Sequence, residues 1–106
     1  MGYDFIIVMV MCASAKEAGK IGAHMLDKKL AACANVISGV ASDFWWKGKI
    51  DSASEVLLTM KTTTVKFEKI EREVRRLHSY EVPEIIALPI VRGSKNYLNW
   101  IKESVK

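Results

Sequence analysis

Two cysteines and two histidines, Cys12, Cys33, His24 and His78, are the side chains here best suited to hold a metal or to act as nucleophile and base. Their spacing narrows the options. There is no CxxC pair and no second cluster, so neither a disulfide framework nor a closed zinc site is indicated. No GxSxG, Walker, GxGxxG or HExxH pattern occurs, and Cys12 is the only obvious nucleophile for His78 to serve. The chain is therefore expected not to be an enzyme. Each candidate also has a packing interpretation. Cys12 sits in an apolar run, where a thiol behaves as a small hydrophobe, and Cys33 reads as structural. His78 falls at a helix C-terminus, where it can cap, and His24 lies mid-helix among polar neighbours and reads as exposed. Met9, Met11, Met25 and Met60 are scattered without the spacing of a methionine copper site.

The elements that must position these residues belong to a chain of 106 residues and 11.9 kDa, 50% apolar and 26% charged, the proportions of a single globular domain over 1–106. The longest apolar run, Phe5 to Met11, is far shorter than the ~20 residues that cross a bilayer, and the N-terminus has no leader pattern, so a soluble protein is expected. The formal charge is +4, but acids and bases alternate from Lys66 to Arg76, which marks a solvated face and argues against a nucleic-acid partner. The low cysteine count fits a reducing cytoplasm.

Tyr3 to Met11 is β-branched, aromatic-rich and apolar on both alternating faces, as in a central strand. Ser14 to Glu17 forms a capping box, followed by Ala18, Ile21, Met25 and Leu26 at helical spacing to about Lys29. Ala32 to Ile37 and Ala41 to Ile50 read as strand broken by a bulge or bend at Ser38-Gly39, and Ser54 to Thr62 as the next strand. Turn signals occur at Lys47-Gly48 and at Asp51 to Ser54, and the second is preferred as the hairpin turn. Thr63 or Thr64 is expected to cap a second helix with Phe67, Ile70, Val74 and Leu77 on one stripe, supported by Glu68/Arg72 and Glu71/Arg75 pairs. Glu84 to Val91 is a strand whose Pro89 assigns it to an edge, and Ser94 caps a final helix. The order βαββαβ plus a C-terminal helix is that of an α+β, ferredoxin-like antiparallel sandwich, with two helices on one side of the sheet.

A two-layer fold covers one sheet face, whereas the first and last strands are apolar on both. A homo-oligomer or an added helix is expected over the second face, and the adjacent Trp45 and Trp46, which point to opposite sides of a strand, strengthen that expectation.

Five ordered segments resemble the CutA family of divalent-cation tolerance proteins: Leu30 to Asn35 (LAACAN), Trp46 to Ile50 (WKGKI), Glu55 to Thr62 (EVLLTMKT), His78 to Pro89 (HSYEVPEIIALP) and Tyr97 to Trp100 (YLNW). The resemblance runs from the first strand to the last helix. It implies a ferredoxin-like fold assembled as a homotrimer, which would answer the uncovered face. It also implies a divalent metal, copper, held by a cysteine at the end of strand one and histidines after the second helix, places that Cys12 and His78 match. Leu77 stands where such members carry a further histidine, and Ser79 where the family usually has proline. Strand one and the second helix run the same way in this topology, so Cys12 and His78 end at one end of the sheet and can meet, with a third ligand needed. Trp46, Lys61, Tyr80, Glu81 and Glu84 form a polar and aromatic set shared with the family, candidates for a cleft between subunits or for trimer scaffolding. The resulting expectation is a non-enzymatic trimer that binds copper and contributes to metal tolerance. The alternatives are a small-molecule sensor with ligand clefts between subunits and a scaffold for a partner.

Overall fold

The computed structural model describes residues 2–106. The chain runs β1 (Phe5–Cys12), α1 (Ala15–Asp27), β2 (Cys33–Trp46), β3 (Lys49–Thr63), a short turn of 3₁₀ helix (Thr64–Lys66), α2 (Phe67–Leu77), β4 (Ile85–Pro89) and α3 (Lys95–Ser104). The sheet is antiparallel in the order β2-β3-β1-β4. Alternation along β1 sends Ile6, Val8, Val10 and Cys12 inward, where they pack with Leu58 and Met60 of β3, Ala18, Ile21 and Met25 of α1, and Ile70 and Val74 of α2. A Cβ built on Gly22 would come within 3.0 Å of the Ala34 Cβ and 3.3 Å of Leu58 Cδ1, so glycine lets α1 settle onto the sheet. His24 is half-buried rather than exposed: its Nε2 lies 2.6 Å from Glu73 Oε1 and ties α1 to α2. Arg76, and then His24, hold the Glu73 carboxyl down to about 2.

The hairpin differs from the sequence expectation. It closes at Lys47-Gly48, with φ of +50° and +79°, the paired left-handed residues of a tight two-residue turn. Asp51 to Ser54, the preferred turn, lies inside β3, where Asp51 faces Phe44 and Ser54 faces Ala41. Only Lys47-Gly48 offers a glycine to a two-residue loop, while Ser52 spends its hydroxyl across the ladder on Asp43 Oδ1 at 2.7 Å. The bulge expected at Ser38-Gly39 is present between Ile37 and Val40. Because β1 ends opposite Val56, residues 40–46 and 49–55 pair only with each other and form an arm beyond the sheet.

Neither threonine caps α2 through its side chain; Thr64 instead donates its hydroxyl to the Tyr3 carbonyl at 2.6 Å and its N–H to Asp4. Glu71 pairs with Arg75 at 3.0 Å, and among the described residues Glu68 and Arg72 form no such pair. β4 stops at Pro89, the edge position its missing N–H permits. α3 lies against β3 and buries Ile101 and Val105 outside the main cluster. Cover of the second face is partial, since Ile37, Ile86 and Leu88 remain about half exposed.

Candidate functional site

Cys12 is the last residue of β1, Glu17 lies in the first turn of α1, and His78 caps the C-terminus of α2. The parallel course of β1 and α2, with the short crossing into α1, brings all three together. The Cys12 sulfur, a Glu17 carboxylate oxygen and a His78 ring nitrogen lie within 4.8 Å of one another. Glu17 was not singled out in the sequence, although the capping box marked it. Ser14 accepts from the Glu17 N–H at 3.1 Å, which fixes the first turn and turns the carboxylate back toward the end of β1.

Hydrogen bonds saturate this cluster. Glu17 Oε1 accepts from the Ala13 N–H at 2.9 Å and Oε2 from the Ser79 N–H at 2.8 Å. The His78 side chain is fully buried, with Nδ1 4.0 Å from Glu17 Oε2. Its Nε2 lies 2.7 Å from the Met11 carbonyl, which can only accept, and its Nδ1 lies 3.0 Å from the Tyr80 N–H, which can only donate. These partners assign the proton to Nε2 and a lone pair to Nδ1. Burial, followed by the Glu17 and Glu55 carboxylates, pushes the Cys12 thiol up to about 12. Burial also opposes ionisation of Glu17, but the Ala13 and Ser79 donors outweigh it and hold the carboxyl below its usual range.

Thiol, imidazole and carboxylate from three elements are donor types that divalent transition-metal ions accept. The donor types and their spacing fit a metal. Occupancy requires the thiol to lose its proton and Nδ1 to give up the Tyr80 N–H, so the fit is that of a modest site.

A groove of about 970 Å³ lies beside the cluster, between the hairpin arm and the segment 79–84. Trp46, Tyr80, Glu81 and Glu84 of the expected cleft set line it, with Trp45 beside them. Lys61 does not. It faces Ile7 and Cys33 in the ladder, five residues and about 17 Å along β3 from the Val56 that faces Cys12, and its Nζ donates to Asn35 Oδ1 at 2.7 Å. Glu55, overlooked in the sequence inside an apolar strand, is a buried groove residue whose Oε2 accepts from the Tyr80 hydroxyl at 2.8 Å. Burial, then that hydrogen bond, raises the Tyr80 hydroxyl to about 12.

Residues 6–104 match the family model of the CutA1 divalent ion tolerance protein. A divalent-cation tolerance protein CutA from Archaeoglobus fulgidus is 43% identical over 99 residues, covering 93% of this chain and 96% of the relative. Its counterpart from Thermus thermophilus is 40% identical over 98 residues, covering 92% and 95%. A solved structure described as the periplasmic divalent cation tolerance protein CutA from Archaeoglobus fulgidus superposes with a TM-score of 0.93 at 42% identity, over 96% of this chain and 99% of that one. The Thermus thermophilus divalent cation tolerance protein superposes with a TM-score of 0.92 at 39% identity, over 94% and 97%. With the family model matching nearly the whole chain and solved relatives superposing closely, the chain belongs to the CutA1 divalent-ion tolerance family.

Proposed function

We propose that this protein binds a divalent metal, copper in preference to zinc, at Cys12, Glu17 and His78, and that it contributes to metal tolerance by binding and without catalysis. The observation that carries the reading is the convergence of the three donors within 4.8 Å at the end of β1. Leu77, the position of an expected further ligand, is a half-buried hydrophobe packed on the core, so Glu17 takes the third place. A non-enzymatic role is supported by the same geometry, because a thiol pushed up to about 12 is a poor nucleophile and the neighbouring imidazole lone pair is already engaged.

The working assembly in this proposal is a homotrimer. A two-stranded ribbon is marginal alone, and the arm exposes Trp45 (73%) and Ile50 (67%) side by side in the ladder. A cytoplasmic location is part of the same proposal and is read by cell fractionation. Cys12 and Cys33 are free thiols well separated along the sheet, beyond the reach of a disulfide within one chain.

Titration of untagged protein with Cu(II) tests the metal site. Binding is expected near one ion per chain, weaker by roughly tenfold or more in Cys12→Ala and in His78→Ala, and weaker again at pH 5.5, where protons compete harder for the Cys12 thiolate. Undiminished copper affinity in both variants would remove this assignment. The sensor reading keeps its support from the groove, where Trp46, Tyr80, Glu81 and Glu84 meet without Lys61, and would then be tested by metabolite binding.

A further inference from the structure

Tyr80 touches both the metal cluster and the groove. Its backbone N–H donates to His78 Nδ1 at 3.0 Å, and its hydroxyl donates to Glu55 Oε2 at 2.8 Å. The two rings pack with centroids 4.7 Å apart. An imidazole nitrogen that carries no hydrogen has a single lone pair, in the ring plane, so an N–H donor and a metal ion cannot both use it. Nε2 offers no alternative without breaking its own bond to the Met11 carbonyl at 2.7 Å. Whatever takes His78 as a ligand through Nδ1 must therefore displace the backbone of Tyr80, the residue whose side chain is tied to a buried carboxylate of the groove.

We propose that metal capture at Cys12, Glu17 and His78 is coupled to the shape of the aromatic groove through Tyr80, so that loading the site releases the 79–84 segment from Glu55 and widens the groove. This rests on the metal site proposed above and adds a consequence of its occupancy. Tyr80 is a positioning residue here. Ser79, whose N–H donates to Glu17 Oε2 at 2.8 Å, ties the same segment to a second of the proposed ligands.

Coupling is reciprocal: if metal loosens the hold of Tyr80 on Glu55, loosening that hold must favour metal. A merely structural Tyr80 gives the opposite sign, since a slackened scaffold presents its ligands less well. Zinc(II) is the probe, because its filled d shell leaves emission to report on the protein. Trp45 and Trp46 line the groove, so a Trp100→Phe background confines the signal to them. Zinc is expected to change their emission in the parent and to bind roughly three- to tenfold more tightly to Tyr80→Phe, the range set by the net strength of one hydrogen bond. The metal-free Tyr80→Phe protein should already emit part-way toward the loaded parent. Should Tyr80→Phe melt below the working temperature, Glu55→Gln weakens the same bond from the other side and carries the same expectation. Zinc that binds through Cys12 with affinity unchanged or weakened in Tyr80→Phe overturns the coupling and leaves the site standing. Failure of the parent to bind zinc or copper removes site and coupling together.

Discussion

At Cys12, burial and two carboxylates act in one direction, and the native thiol stays protonated up to about pH 12. A group whose folded pKa is raised contributes stability that is fully present below the unfolded value, here 9.0, and is lost as pH rises through the folded one. Tyr80 adds to the same loss from its ordinary value of 10.0 upward. Urea unfolding at a series of pH values is therefore expected to show falling stability from about pH 9 to 12, with a shallower fall in Cys12→Ala. A slope unaltered by that substitution would contradict the buried-thiol assignment.

Ser79 makes the opposite case with a backbone donor. Glu17, its carboxyl lowered, contributes stability above its ordinary 4.5 that disappears as pH falls through the lowered value. Ser79→Pro deletes the N–H that Glu17 Oε2 accepts, while His78, at φ −80° and ψ 145°, already has the extended backbone a following proline demands. Loss of a bond to a charged acceptor exceeds the gain in chain stiffness, so stability at pH 7 is expected to fall by about 1–2 kcal/mol. The Glu17 carboxyl should move back toward its ordinary range, which NMR titration of its side chain reads. Cys12 and His78 were legible in the sequence because their types are rare and the topology aligns their ends. Glu17 and Glu55 were not. Carboxylates are common, and nothing in a capping box or an apolar strand says which oxygen turns toward a neighbouring element.

At Gly22, α1 lies so near the sheet that an added Cβ would crowd Ala34 and Leu58. Gly22→Val adds that Cβ and two methyl groups and is expected to destabilise by about 1–3 kcal/mol in denaturant unfolding. A neutral result would mean that α1 can lift off the sheet. The strands and the three longer helices were readable because alternation and helical spacing agree with one fold. The hairpin turn was misread because Asp51 to Ser54 carries turn residues while Lys47-Gly48 spans only two positions. The choice is made by cross-strand pairing of Trp45 with Ile50 and Trp46 with Lys49, which local chemistry does not reveal. The threonine cap is absent for a similar reason, since Thr64 lies within the 3₁₀ turn before α2 and its hydroxyl is aimed at the distant Tyr3 carbonyl, to which it donates.

For the whole molecule, the arm of residues 40–55 and the half-exposed Ile37, Ile86 and Leu88 leave apolar surface that a single copy does not cover. The sequence anticipated this from strands apolar on both faces. Of the two covers it allowed, a homo-oligomer or an added helix, α3 against β3 supplies part. Assembly and metal binding are read at once by native mass spectrometry of untagged protein with one equivalent of Cu(II). The expected result is a species of three times 11.9 kDa carrying up to three copper ions, with the copper lost and the mass of three chains kept in Cys12→Ala. A monomer would remove the trimer, and a trimer whose copper content is the same with and without Cys12 would remove the metal site.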